Sequence, residues 1–285
     1  MTTDLLPGAG VLRAEALKAL SVRTWWALAI PVGLLAVMVN LFGGLFGSAV
    51  AGVGGDDGIP GILLASLAYA LSLTTVFAAL HGVVLATAEF RHRTVTTTYL
   101  LAGRVPTLLA KAAVAAGVGA AYALLAIVLG LLAGLAGQGA APLPSVGGIV
   151  SLSCAGILVC AFWSVLGVAL GTLVVNQAGA VVALLVYVLA AENLVALVLR
   201  SGTEEGEAPG TAARITSLLP ANAGDVALYD LPARELGGRY APSIVEGLAG
   251  VAAPPPGWGA LLVLLVWTGA GLAVAWVVGG RRDVT

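Results

Sequence analysis

The sequence predicts an all-α membrane protein with six transmembrane helices. Its 285 residues are 60% hydrophobic and only 9% charged, whereas soluble domains carry about 25% charged residues. The mean hydropathy is +1.04, and the apolar residues are collected in six long runs. A bilayer core about 30 Å thick needs roughly 20 apolar residues per helix, so each run is long enough to cross it.

The six spans are separated by turn-rich or charged breaks. The last run, ALLVLLVWTGAGLAVAWVVGG, lacks the alternation of apolar and polar residues that a transmembrane β-strand shows over about ten residues. The first run follows basic residues, as a signal peptide does, but it exceeds the roughly 7 to 15 residues of a cleaved signal, so we expect it to be retained. We place the spans at residues 25–46, 61–87, 108–136, 147–173, 178–199 and 258–279.

Basic residues are unevenly distributed over the connections between spans. The loop at 88–107 is rich in them, whereas the connections between spans 1 and 2 and between spans 3 and 4 hold none. By the positive-inside rule, both termini and the 88–107 loop are predicted to be cytoplasmic. The net charge of −1 offers no basic excess for a nucleic-acid partner. The basic residues near the predicted cytoplasmic ends are Arg13, Lys18, Arg23, Arg91, Arg93, Arg104, Lys111, Arg281 and Arg282.

Residues 8–24 have the composition of a helix, with apolar side chains roughly on one side and Glu15 and Lys18 on another. Arg13 interrupts the apolar side. We predict an interfacial helix that lies on the inner leaflet. A plain cytoplasmic extension of the first span is the alternative.

The segment 200–257 differs from the other connections in length and composition. It begins with the acidic stretch SGTEEGEAPG, continues with the semi-apolar ARITSLLPANAGDVALYD and ends with APPPGWG. Its seven acidic residues outnumber its four arginines, which predicts an external location. We expect short re-entrant helices that dip into the outer interface, with a soluble cap as the alternative.

The chain lacks the residues for ATP hydrolysis and offers few for other catalysis. The phosphate-binding loop G-x-x-x-x-G-K-[ST] needs a lysine after a glycine, and neither Lys18 nor Lys111, the two lysines of the chain, follows one. Cys154 and Cys160 lie six residues apart in one span, on nearly opposite helix faces, so we expect no metal site. No catalytic constellation emerges, and we predict that the chain is not an enzyme by itself.

Three polar residues inside spans are candidates for a translocation path. Glu192 is the carboxylate deepest in a span, and an intramembrane ionisable group is costly unless it is paired or functional. A hydrogen bond with Asn193, or a neutral protonated state, would be the structural alternative. His81 lies alone in the second span, where a packing role competes with a ligand role.

Three G-x-x-x-G spacings fall within spans, beginning at Gly43, Gly130 and Gly167. Such spacing lets helix backbones approach closely. With 39 glycines in the chain, pairs of this kind are expected by chance, and we base no prediction on them.

The stretch EFRHRTVTTTYLLAGRVPTLLAK, residues 89–111, collects much of the charge in one loop. The positive-inside rule accounts for its basic residues but not for Glu89 or for the threonines that follow Arg93. These features favour a short polar helix that protrudes into the cytoplasm and offers a docking surface. A solvated anchor loop is the alternative.

Three parts of the chain together resemble one family. They are LRAEALKALSVRTWWAL at the first span, TAEFRHRTVTTTYLLAGRVPTLLAK around the charged loop, and LLPANAGDVALY with the terminal GGRRDVT. In order and spacing, they resemble the permease subunit of an ABC transporter of the ABC-2 type, in the version common in high-GC Gram-positive bacteria. The chain departs from the pattern at Arg93, where the family's loops often carry a glycine, and in its long acidic external segment.

The resemblance implies two permease subunits side by side, identical or different, and two copies of a separate ATPase subunit that binds ATP and magnesium. It implies that the 88–107 loop contains the coupling helix, which fits a groove on the ATPase, and that spans 1, 2 and 5 line the substrate path. The expected path residues are Glu192, Asn193 and His81. The interfacial helix with Arg13, Glu15 and Lys18 would brace the loop. The expected coupling residues are Glu89, Phe90, Arg91, His92, Arg93, Thr94 and Thr97.

The sequence therefore favours the membrane subunit of an ATP-driven exporter in a bacterial plasma membrane, which moves an amphipathic or lipid-like compound outward. The chain itself is expected to need no cofactor. The alternative is a stand-alone ion-coupled carrier or channel that uses Glu192 and His81. Such carriers show paired repeats and several intramembrane charges, which are not evident here. An intramembrane enzyme lacks the clustered reactive groups that it would need.

Overall fold

The computed structural model describes residues 7–54, 61–139, 141–200 and 210–281. Within these residues the chain is helical, without strands, and six helices are long and apolar enough to cross a membrane. The predicted all-helical class, with six helices long and apolar enough to cross a membrane, is confirmed. The acidic start of the 200–257 segment and the terminal Arg282 lie outside the described residues.

The six long helices extend the predicted spans by one to eight residues at most ends. The fifth consists of two α-helices joined by a π-helical turn at Tyr187–Ala191. The bounds are α2 Thr24–Gly54, α3 Ile62–Arg91, α5 Arg104–Gln138, α6 Val146–Val174, α7 Gln177–Val186 continued by α8 Glu192–Arg200, and α12 Gly257–Arg281.

Shorter helices lie at both ends of the bundle. We call the end that holds α1, α4 and the Arg91 end of α3 the charged end, and the other the opposite end. Whether α1 lies in a membrane interface stays a prediction. The bounds are α1 Pro7–Ser21, α4 Val95–Ala102, α9 Thr211–Ile215, α10 Pro220–Gly237 and α11 Ala241–Ala249.

The centre of the bundle is the pair α3 and α6. A share of 56% of the most apolar stretch of each is buried, against 17% for the fifth and sixth spans. The two backbones meet at glycines: a Cβ atom on Gly82 would collide with the backbone of Ser164, and one on Gly167 with the backbone of Ala79. Close approach of this kind is what small residues permit in membrane helices.

Polar side chains cap two of the span starts. Ser145 accepts a hydrogen bond from the Gly148 amide at 2.9 Å, and Asn176 accepts one from the Gly179 amide at 2.9 Å. Both use the side-chain oxygen to satisfy an amide that has no intrahelical partner. Asn176 thereby caps α7, and only Val175 and Asn176 separate α6 from α7, which makes this connection a tight turn.

The connection between the fifth and sixth spans turns back into the bundle. Gly61, at the opposite end, contacts the α10 residues Glu235 and Leu236. Further along α3, the Ser72 hydroxyl donates to Asp225 of α10 at 2.6 Å, ten residues or about 15 Å from Ile62. The N-terminus of α10 therefore lies beside the middle of α3. The predicted segment contains helices that run along the spans, while their depth in a bilayer stays a prediction.

Candidate functional site

Four charged side chains form a closed set of ion pairs at the charged end, which we call the four-charge ring. Lys18 Nζ lies 2.6 Å from Glu15 Oε1 and 2.6 Å from Glu89 Oε1. Lys111 Nζ lies 2.8 Å from Glu15 Oε2 and 3.2 Å from Glu89 Oε2. Each acid thus contacts both lysines, and the ring carries no net charge.

The ring forms because three helices present one face each to the same point. Glu15 and Lys18 are three residues apart, so they lie on one side of α1. Between them and the bundle, Ala19 is buried in a small cluster with Ala86 of α3 and Ala115 of α5. This packing of small residues holds α1 against the long helices, with Glu89 and Lys111 within reach.

Three of the four charged side chains of the ring are buried. The side chains of Glu15, Lys111 and Glu89 are 1%, 7% and 8% exposed, whereas Lys18 is 44% exposed. Burial of Lys18 acts to lower its pKa, but hydrogen bonds and charge attraction from Glu15 and Glu89 together raise that pKa above the ordinary lysine value. Lys18 is therefore protonated at neutral pH, as the ring requires.

The short helix α4 is attached to the ring through Thr98. Its hydroxyl donates to Glu89 Oε1 at 3.0 Å, and Lys18 Nζ lies 3.5 Å from the same hydroxyl. Val95 is buried beneath the helix, while Leu100 and Leu101 are 83% and 84% exposed. The helix thus has one side fixed to the ring and one apolar side free.

The structure divides the predicted coupling residues into two groups. Glu89 is buried in the ring, and Phe90 is half-buried beside an open groove of about 890 Å³ near Asn176. The others, Arg91, His92, Arg93, Thr94 and Thr97, are exposed. Of the predicted bracing residues, Glu15 and Lys18 belong to the ring, whereas Arg13 is exposed.

Arg104 joins the charged loop to the end of the sixth span. Its Nη1 donates to the carbonyls of Gly279 at 2.9 Å and Gly280 at 2.7 Å, and its guanidinium lies 5.7 Å from the centre of the Tyr99 ring. Cations at a helix C-terminus satisfy carbonyls that lack intrahelical partners. Arg104 therefore fixes the corner between α4 and α5 to α12.

Glu192 binds the start of α10 rather than Asn193. Its two carboxylate oxygens accept hydrogen bonds from the amides of Ala221 at 2.9 Å and Asn222 at 3.0 Å, and Tyr187 donates to it as well. A helix N-terminus is a favourable place for a carboxylate. Asn193 instead donates to the Leu189 carbonyl at 3.2 Å. Glu192 thus ties the fifth span to α10.

His81 lies in a different environment from Glu192, and no hydrogen bond among the described residues joins the two. Its ring meets the Tyr122 ring edge to face, with 6.0 Å between centroids. The side chain is 2% exposed, and neither ring nitrogen has a hydrogen-bond partner among the described residues. The predicted path role of His81, Glu192 and Asn193 stays a prediction.

Sequence reasoning missed Lys111, Thr98 and Arg104 as site residues. Lys111 offered a signal, because a lysine at the start of an apolar span needs a counter-ion, and the acids Glu15 and Glu89 stood near the same predicted membrane surface. The pairing itself could not be read from the chain, because the partners lie on different helices, and Glu15 and Lys111 are 96 residues apart.

Comparison with protein-family models and with curated proteins gives no match for this chain. Among the described residues there is also no group of three or more histidine, cysteine, aspartate or glutamate side chains placed to hold a metal ion. The geometry at the charged end is therefore the basis for the functional proposal.

Proposed function

We propose that this chain is the membrane-spanning permease subunit of an ABC-2-type exporter, driven by a separate ATPase subunit present in two copies. A second permease subunit, identical or different, completes the path. The complex moves an amphipathic or lipid-like compound out of the cell. The location is a bacterial plasma membrane, with both termini in the cytoplasm.

The observation that carries the proposal is the attachment of α4 to the four-charge ring. A partner that binds the exposed side of α4 pulls on Thr98, and through it on Glu89, which the ring joins to α1 and α5. A docking helix on a loop would move alone without such a connection. In this structure, a force on α4 would be transmitted to α1, α3 and α5 together, as coupling to an ATPase on another chain requires.

The ring also supports a motor on another polypeptide. Both lysines of the chain, Lys18 and Lys111, are used in the ring. A phosphate-binding loop of the Walker type depends on a lysine that reaches the β- and γ-phosphates, and none remains for it. ATP and magnesium would therefore be bound by the partner subunit.

The experiment that tests the proposal reverses the charge of exposed loop residues. We expect Arg91→Glu with Arg93→Glu to abolish copurification of the ATPase subunit, or to remove the stimulation of its ATPase rate by the permease, while the spans stay folded. Arg239→Glu, at the opposite end, is the matched control and should change neither. Unchanged copurification and an unchanged ATPase rate in the loop variant would contradict the proposal.

The alternative, a stand-alone carrier or channel that uses Glu192 and His81, predicts a different result. The purified chain would move solute across liposomes without ATP or a partner. Transport of that kind, abolished by Glu192→Gln, would replace the ABC proposal with the carrier.

A further inference from the structure

A cavity of about 170 Å³ adjoins the four-charge ring, whose four side chains line part of it, and reaches past the ring to His81. It extends between α1, α3 and α7, and the exposed side chains of Arg91 and His92 stand at its edge. His81 lies ten residues before Arg91 on α3, about 15 Å deeper along the helix. The cavity therefore runs from the charged end into the bundle, with His81 toward its inner end.

His81 is the residue of this cavity that indicates a bound ligand. A buried polar group without a partner costs roughly 1–3 kcal/mol, and both of its ring nitrogens lack partners among the described residues. The four ring residues also line the cavity, where Lys18 and Lys111 pair with Glu15 and Glu89. Arg91 donates to Gln177 Oε1 at 3.3 Å. Glu89 Oε2, another buried lining atom without a hydrogen bond among the described residues, lies 3.2 Å from Lys111 Nζ in an ion pair, whereas the His81 imidazole has no such partner there.

The remaining lining indicates which molecule would fit. Val84 and Leu85 lie three and four residues after His81 on α3 and therefore share its helix face, and Val22 adds a third apolar side chain to the lining. Arg91 and the half-exposed Lys18 at the edge disfavour a cation. An anionic group at the inner end would lose its hydration beside apolar side chains, at a high cost in free energy.

We propose that this cavity binds an uncharged amphiphile through a hydroxyl or amide group that hydrogen-bonds His81, with the apolar part of the molecule against Val22, Val84 and Leu85. Binding is a property of the isolated chain. That the bound molecule is cargo rests on the proposed function, so a failure of ATPase coupling leaves the binding test unaffected, and a failure of binding leaves the coupling test unaffected.

The first experiment observes the imidazole directly. The chain carries two histidines, His81 and His92, so ¹⁵N-histidine labelling in nanodiscs of phosphatidylcholine and phosphatidylglycerol gives two sets of ring signals. The exposed His92 is identified by a soluble paramagnetic agent that broadens its signals. We expect 1-octanol to shift the His81 nitrogens saturably, and octane to leave them in place. His81 signals that already report a hydrogen bond to water, and that 1-octanol does not move, would show a cavity that holds water only.

The second experiment maps the bound molecule. A photoactivatable diazirine analogue of octanol should label the α3 peptide that contains Val84 and Leu85, and 1-octanol should compete for it. His81→Phe keeps a ring of similar size without the nitrogens, and we expect about three- to tenfold more 1-octanol to be needed, the value of one net hydrogen bond.

Ser164→Ala is the matched control for the labelling. Ser164 is another buried side chain whose hydroxyl has no partner among the described residues, but it does not line the cavity, so competition should be as in the natural chain. Labelling spread over the outward-facing surfaces of all spans, or competition unchanged in His81→Phe, would overturn the proposal.

Discussion

At the scale of single residues, Lys111 is a buried charge whose role is to pair with both acids of the ring. Its ammonium group is almost fully buried, and it contacts both acids of the ring. The free-energy cost of removing such a charge from water is offset only while its oppositely charged partners are present. Glu89, expected at the docking surface, is instead part of this buried set. In the proposed function, exposed residues of the loop would contact the partner and Glu89 would transmit its movement.

Replacement of Lys111 should therefore be costly. We expect Lys111→Met to lower the free energy of unfolding by about 3 kcal/mol, at the low end of the range for breaking a buried pair, because Lys18 still contacts both acids. Denaturant unfolding in detergent measures the change. The double variant Glu15→Gln with Lys111→Met should lose less than the sum of the single losses. Strictly additive losses would show that the two side chains are not coupled.

Arg93 is the residue whose backbone does not suit its side chain. Its φ angle is +56°, in the left-handed region that favours glycine. This gives a physical reason for the glycine that the resembling family often carries at this place. We expect Arg93→Gly to stabilise the chain by about 0.5–1 kcal/mol, measured by thermal or denaturant unfolding.

The same substitution inside a regular helix serves as the control. Arg13 is exposed in the middle of α1, and Arg13→Gly should destabilise the chain by about 0.8 kcal/mol because glycine is a poor helix former. Equal losses at Arg13 and Arg93 would mean that the left-handed backbone at Arg93 is not strained.

At the scale of elements, the packing of the helices shows which glycine pairs lie at a close helix contact. Gly167 and Gly171 both face α3, where a Cβ atom would collide with backbone atoms. On Gly130 and Gly134 a Cβ atom would meet the side chains of Asn40 and Leu63. The sequence contains so many glycines that these pairs could not be separated from chance. Only the structure shows what each glycine pair contacts, and this distinguishes the packed pairs from pairs that arise by chance.

The connection between the fifth span and α10 can be tested directly through Glu192. Glu192→Gln keeps one acceptor oxygen but loses the charge that complements the α10 N-terminus, so we expect faster hydrogen exchange at the amides of Ala221 and Asn222, by about five- to tenfold for a loss of 1–1.4 kcal/mol. Mass spectrometry of the peptide that covers residues 216–226 measures it.

Asn193→Ala, on the exposed side of the same span, is the control for the exchange measurement and should leave those amides unchanged. Exchange in Glu192→Gln equal to that in the natural chain would assign the start of α10 to packing alone and remove the role of the carboxylate.

At the scale of the whole molecule, the proposed function requires the charged end to face the cytoplasm. Arg104 holds the end of α12 at the same side as α1 and α4, so the orientation of the loop also decides that of α1 and of the end of α12. We expect Thr97→Cys, in a background without Cys154 and Cys160, to react with a membrane-impermeant maleimide only in inverted vesicles.

Leu143→Cys provides the opposite marker, because Leu143 is 69% exposed in the turn before α6 at the opposite end. It should react only on intact cells or right-side-out vesicles. Reaction of Thr97→Cys from the outside would reverse the orientation and remove the proposed docking of an ATPase at α4.

The sequence by itself determined the all-helical class and the number and approximate ends of the six helices long and apolar enough to cross a membrane. These are local properties, because an apolar run of a given length and the charged or turn-rich breaks around it act within a few residues along the chain. The tertiary structure alone decided that Glu15, Lys18, Glu89 and Lys111 form one ring, that Glu192 binds the start of α10, and that His81 borders a cavity. Each of these depends on a partner from another helix, and a pattern along one chain carries no information on which distant residue will supply it.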